Sequence, residues 1–227
     1  MSWTQLSELW GPLKLSLKIA GAATALGALV GIPLALFMSR RRFFGKSLLD
    51  GLIIMPMVLP PTVVGFVILE VMGPTHGWVG YWLKRVFDYQ ILFRFEGAVL
   101  AAAVVSLPML YLPAKSGFAA VEREMEDSAR LMGANPLQVF WYVSLPLARR
   151  GIYSGLLLAF ARALGEFGAT VMVFGMPQDR MTLPIFIYLN YDDPGLFYAT
   201  AAAVLALAAI SLTLTLAYNR SAASKQD

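Results

Sequence analysis

Residues 19–39 read IAGAATALGALVGIPLALFMS and are followed at 40–46 by RRRFFGK. An uncharged run of this length, coiled as an α-helix, reaches across a hydrocarbon core of about 30 Å, which takes roughly 20 residues. It is too long for the apolar region of a cleaved secretory signal, and Arg40, Arg41, Arg42 and Lys46 form a stop-transfer cluster, so the stretch belongs to the mature protein. No acidic residue falls between positions 39 and 47, which puts this loop on the cytoplasmic side by the positive-inside rule.

Working outward, uncharged stretches recur at 51–69, 97–114 and 194–219, and an apolar stretch at 151–178 is interrupted only by Arg162 and Glu166. The reading is an all-α polytopic transmembrane bundle of about five spans, near 15–38, 48–72, 96–114, 151–174 and 197–218, in one transmembrane domain covering 1–227. Alternation from the first loop leaves the N-terminus outside and the C-terminus cytoplasmic. On that topology the cytoplasmic segments carry 11 basic residues and the outer segments 5, as the rule requires. A lead from Trp3 to Lys14 is expected to lie in the outer interface, with Trp3 and Trp10 at headgroup level. The tail after Tyr218 is short and polar, so no C-terminal regulatory domain is expected.

Composition agrees and narrows the chemistry. The 227 residues are 58% hydrophobic and 14% charged, with a mean hydropathy of +0.65, too little polar surface for a soluble domain. With no Cys and one His, His76, disulfides, zinc clusters and thiol catalysis are excluded. The net charge of +4 lies between apolar blocks rather than on one long basic surface, which argues against a nucleic-acid partner. No P-loop glycine pattern, no nucleophile with a base and no carboxylate cluster appears, so the chain is not expected to hydrolyse ATP.

The cytoplasmic segment 115–150 is too long for a structureless connection. Phe118, Val121, Met125, Ser128 and Met132 recur at spacings of three and four, predicting an amphipathic helix over 118–132. Gly133 suits its C-terminal cap, and Asn135-Pro136 opens a second short helix to about Tyr142. From periodicity alone, resting on lipid headgroups and docking a partner protein are equally good readings.

The wording of this segment adds to its period. Asp127-Ser128-Ala129, three residues, Gly133, nine residues, then Val143-Ser144-Leu145-Pro146 resembles the EAA loop of ABC importer permeases, patterned E-A-A, three, G, nine, I-x-L-P. It departs from that pattern with Asp for Glu and Ser for Ala; Glu126, one residue earlier, is the alternative carboxylate. Met55 to Gly65 (MPMVLPPTVVG) and Phe160 to Thr170 (FARALGEFGAT) are similar to segments of molybdate importer permeases, with sulfate and tungstate permeases close behind.

The resemblance implies the type I importer permease fold, and a coupling role for Glu126, Asp127, Ser128, Ala129, Gly133, Leu145 and Pro146. It also implies a homodimer in the cytoplasmic (inner) membrane, with a cytoplasmic ATPase subunit that uses ATP and an extracytoplasmic oxyanion-binding protein. No cofactor would be bound by this chain. The cargo would be molybdate, with tungstate or sulfate as the alternative. An ion-coupled secondary carrier and a non-transporting scaffold are the rivals from other classes.

Candidate path residues follow from cost. Ionisable groups inside a span cost roughly 3 kcal/mol each, and Arg162 and Glu166, four apart, share a helix face. They are either an anion-attracting pair in the path or a structural ion pair between helices. Pro60 and Pro61 break the second span and leave a half-helix whose amides, near Thr62 to Val64, can face an oxyanion; the alternative is a packing kink. Ser106 and Thr170 offer hydroxyls to the same route or to their own helix backbone.

Overall fold

Helices in a lipid environment pack through small residues that let backbones approach, and this chain supplies them at regular intervals. The structure, a computed structural model, describes residues 8–177 and 179–223. Trp3 and the last four residues lie outside the described part. Among the described residues every regular element is helical.

Helix α1 (Trp10–Arg40) buries Ile19, Ala23, Gly27, Gly31, Ala35 and Met38, a stripe repeating every three to four residues. That stripe lies on α5 (Phe95–Ala119), the central helix, where a β-carbon at Gly31 would stand 3.0 Å from Leu107 and 3.2 Å from Leu110. The other face of α5 receives α8 (Leu145–Leu164). A β-carbon at Gly151 would meet the Pro113 carbonyl oxygen at 2.5 Å, and one at Gly155 the Leu110 carbonyl oxygen at 2.7 Å, so both positions require glycine for this approach. The last long helix, α11 (Phe197–Ala223), packs along α8 with most of its surface open.

Two breaks interrupt the bundle. Helix α2 (Lys46–Val58) ends at Leu59 and Pro60, both extended, and α3 (Pro61–Met72) leaves at a bend of 115°. Consecutive prolines remove two backbone donors and hold the preceding residues extended, which accounts for a corner rather than a shallow kink. Helix α8 bends by 62° through Gly165–Phe167 into α9 (Gly168–Phe174). Among the described residues three helices are individually long and apolar enough to cross a membrane, and the number reaches five if each bent pair counts as one span.

Two short helices stand where no element was expected. Helix α4 (Trp78–Phe87) follows α3, and α10 (Leu183–Asn190) buries Leu183, Ile185 and Phe186 against α1 and α11, its first amide donating to Ser16 Oγ at 2.8 Å.

The connecting segment differs from its reading. The expected helix over 118–132 begins only at Arg123, as α6 (Arg123–Leu131). Phe118 belongs to the end of α5, and with Val121 it fills the core beneath α1 and α8, so the chain turns at Ala120–Glu122 instead of continuing. The second short helix, α7 (Pro136–Val139), does not stop at Tyr142. It widens into a π-turn over Phe140–Ser144 and runs straight into α8. Pro146, which an ordinary helix would press against the carbonyl four residues back, is accommodated by that wider turn, where the Leu145 amide donates to the Phe140 carbonyl.

Candidate functional site

The segment between α5 and α8 is built from local rules. Gly133 has φ +91°, and donation from Ala134 N to Ala129 O (3.0 Å) and from Gly133 N to Arg130 O (2.9 Å) closes α6 in a Schellman cap. Two residues later Asn135 opens α7 with a capping box: Gln138 N donates to Asn135 Oδ1 at 2.9 Å, and Asn135 N donates to Gln138 Oε1 at 2.8 Å. These caps fix a tight helix–turn–helix whose buried apolar side chains are only Ala129 on α6 and Val139 on α7.

What anchors it is Glu126. The residue is 4% exposed, and its Oε1 accepts from Arg40 Nη2 at 2.7 Å and from the Ser144 hydroxyl at 2.6 Å. Arg40 Nη1 also donates to the Val121 carbonyl at 3.0 Å. One carboxylate therefore ties α6 to the end of α1 and to the π-turn that leads into α8. Asp127, at the motif's first position, instead points outward and pairs with Arg130 at 2.6 Å. Ala129 is buried and Ser128 exposed; Leu145 is half-buried and Pro146 exposed on the helix. The face expected to be covered, Met125, Ser128 and Met132, is open, because the buried side of α6 is the one carrying Glu126 and Ala129. Leu131 (90% exposed) and Met132 (83%) sit at the tip beside Gly133, with exposed Leu137 and Tyr142 on the adjoining turns.

The two helix breaks meet each other. A β-carbon at Gly168 would stand 3.2 Å from Pro61 Cβ and from Thr62 N, and one at Gly65 would stand 2.8 Å from Ala169 Cα. The N-terminal turns of α3 and α9 thus cross in direct contact. Glu166 sits at this crossing, 1% exposed at its side chain: Oε1 accepts from Ala169 N at 2.8 Å, capping α9, and Oε2 lies 2.6 Å from Arg162 Nη1 without a well-aligned hydrogen bond. Arg162 is partly open, at 28%. The pair joins consecutive turns at the end of α8, and the same carboxylate caps α9.

The half-helix at Thr62 is not the open amide cradle that the sequence suggested. Val63 N and Val64 N both donate to the Pro60 carbonyl, at 2.9 and 3.2 Å, so two of the amides expected to face an anion are already used. Pro60 and Thr62 are exposed and Pro61 half-buried. Ser106 is buried and its hydroxyl donates to Ala103 O of its own helix at 3.3 Å, while Thr170 is buried on α9 beside the crossing. The crossing brings Pro61, Thr62, Glu166 and Thr170 into one region with Arg162 at its edge.

Sequence reasoning missed Arg40 and Ser144 as partners of the segment. Arg40 was readable only as one of a run of topology-setting arginines, and its pairing lies 86 residues away in sequence. Asp50 accepts from Lys115 Nζ at 2.6 Å and from the Tyr111 hydroxyl, joining α2 to α5.

With this architecture in hand, comparison with known proteins is direct. The chain is 39% identical over 188 residues to the putative molybdenum transport system permease protein YvgM of Bacillus subtilis (strain 168), covering 82% of each chain. It is 40% identical over 187 residues to the molybdenum transport system permease protein ModB of Escherichia coli (strain K12), covering 82% of this chain and 81% of that one. Among solved structures, an inward-facing MetNI methionine ABC transporter chain superposes with a TM-score of 0.69 over 97% of both chains at 15% identity, a likeness of fold alone. Residues 27–224 match the family model described as the binding-protein-dependent transport system inner membrane component, and the chain belongs to that family.

Proposed function

We propose that this chain is the permease subunit of an ATP-driven importer that carries molybdate across the inner membrane. The observation that carries the reading is the α6–α7 segment: held from beneath by Glu126, Arg40 and Ser144, it presents Leu131, Met132, Leu137 and Tyr142 to solvent as a rigid apolar tip. Exposed apolar side chains on a capped, anchored turn suit a cleft in another protein far better than water. In our reading the partner is a cytoplasmic ATPase subunit, which alone uses ATP; this chain binds no cofactor and no nucleic acid.

Closure of two ATPase subunits would move the tip, and the Glu126 anchor would pass that movement to α1 and α8. The crossing of α3 and α9 would serve as the gate, with Pro60, Pro61, Thr62, Ser106, Arg162, Glu166 and Thr170 near the route. A second copy of the chain would complete the path, and an extracytoplasmic binding protein would deliver the anion already selected. Weak internal contacts then favour release. The N-terminus lies outside and the C-terminus in the cytoplasm, with the spans near the boundaries read from sequence. The molybdenum cargo rests on the relatives' names, with tungstate and sulfate sharing charge and shape.

The test is co-purification of the chain with a candidate ATPase subunit in lipid, followed by ATPase activity with molybdate-, tungstate- or sulfate-loaded binding protein. Stimulation by the molybdate-loaded form above the other two supports the reading. Stimulation by sulfate alone reassigns the cargo, and a chain that recruits no ATPase overturns the importer.

A further inference from the structure

A cleft of about 780 Å³ lies between the end of α1 and the α6–α7 segment. Its composition is divided. One wall is the apolar surface of Pro33, Leu36 and Phe37, within the length of α1 that is apolar enough to cross a bilayer. The rim holds Arg40, Arg41, Arg123 and Arg130 against two carboxylates, Glu126 and Asp127. Both carboxylates are engaged, Glu126 by Arg40 at 2.7 Å and Asp127 by Arg130 at 2.6 Å. Two positive charges remain over. Arg123 makes one 3.2 Å donation to the Arg40 carbonyl, the exposed Arg41 guanidinium makes no hydrogen bond or ion pair among the described residues, and Arg40 Nε is buried without a hydrogen-bond partner. Beside the cleft Phe43 packs on Phe37 at 5.7 Å and Phe44 is fully exposed, the surroundings of a bilayer interface.

We infer that this cleft binds one anionic phospholipid, its phosphate between Arg41 and Arg123 and an acyl chain along Pro33, Leu36 and Phe37. A free tetrahedral anion would satisfy the arginines and leave the apolar wall wet. A neutral lipid would cover the wall and leave two cations unpaired at the membrane surface, where anionic headgroups are favoured. A soluble protein segment cannot follow α1 into the hydrocarbon. A lipid seated here touches both α1 and the segment that Glu126 anchors, so its binding bears on the position of that segment. The inference rests on the chain being a membrane protein and not on its cargo.

The experiment is native mass spectrometry of the full chain released from nanodiscs containing phosphatidylglycerol and phosphatidylcholine in equal parts. The wild type is expected to retain phosphatidylglycerol in preference. The R41Q/R123Q variant, changed only at exposed side chains, is expected to lose that preference by about tenfold with phosphatidylcholine retention unchanged. The R42Q/K46Q variant, which removes the same charge outside the cleft lining, is expected to keep it. Equal retention of the two lipids by the wild type, or an equal loss in both variants, overturns the proposal in favour of diffuse surface charge. Release of the retained lipid by millimolar inorganic phosphate or sulfate overturns it in favour of a small-anion site.

Discussion

Glu126 Oε1 and Arg40 Nη2 stand 2.7 Å apart across 86 residues of sequence, and the ion pair they form is the main polar tie between α6 and the membrane-crossing α1. Ser144 adds a second donor to the same oxygen. Removing one partner of such a pair costs more than the pair contributes, because the other is left poorly solvated.

This geometry separates two adjacent carboxylates. Glu126→Gln is expected to destabilise the α6 anchor by about 3 kcal/mol and to lower substrate-stimulated ATPase activity and uptake by about tenfold or more. Asp127→Asn, at an exposed pair with Arg130, is expected to cost less than about 1 kcal/mol and leave uptake within about twofold. Parallel uptake assays of the two variants in proteoliposomes decide it; equal defects would mean that burial of Glu126 is not what matters.

How much of this was readable beforehand depends on how far each determinant reaches. Gly133 as a cap and Asn135-Pro136 as a helix start are local, and both stand in the structure as read. The corner at Pro60-Pro61 is equally local, though its size of 115° is not, since it depends on α3 settling against α9. Which of Glu126 and Asp127 turns inward depends on Arg40 and Ser144, both distant in sequence. The apolar residues Met125 and Met132 misled for a related reason: periodicity marks a face that something covers, not that this chain covers it. Helix α4 has ten residues, too short to stand out among stretches of span length, although Trp78, Tyr81, Trp82 and Arg85 share one helical face.

Gly133 allows a test in which side-chain bulk and backbone strain can be told apart. A β-carbon there meets nothing within 4 Å, so the cost of substitution lies in the φ of +91°. Gly133→Asn, which tolerates the left-handed region, is expected to retain most uptake, whereas Gly133→Val should cost about 1–2 kcal/mol locally and displace the apolar tip. The readout is the ratio of uptake to ATP hydrolysis. A fall in that ratio for Val and not for Asn fits a coupling tip whose shape is set by the cap.

The α5–α8 contact sets a different kind of limit. Because a β-carbon at Gly151 would stand 2.5 Å from the Pro113 carbonyl oxygen and 2.9 Å from Gly117 Cα, even Gly151→Ala must push two backbones apart. We expect a loss of about 1–3 kcal/mol for Ala and failure to accumulate folded protein for Leu. Gly21→Ala, where nothing lies within 4 Å, is the matched control and should be neutral. Monodispersity after heating the detergent-solubilised protein reports both.

The Arg162–Glu166 pair predicts an asymmetry. Glu166 is the buried member, so Arg162→Ala leaves a carboxylate enclosed with only the Ala169 amide as partner, and a cost of about 3 kcal/mol is expected. Glu166→Gln keeps an oxygen for that amide and leaves an arginine that is 28% exposed and can reach solvent, so its cost should be nearer 1 kcal/mol. The double variant R162A/E166Q should recover part of the stability lost by R162A alone, because the stranded charge is gone. Transport discriminates further. If the carboxylate serves as a structural cap and counter-charge, E166Q should retain uptake that depends on ATP. Were Glu166 the proton- or sodium-coupling group of an ion-driven carrier, E166Q would abolish transport outright while the protein stayed folded.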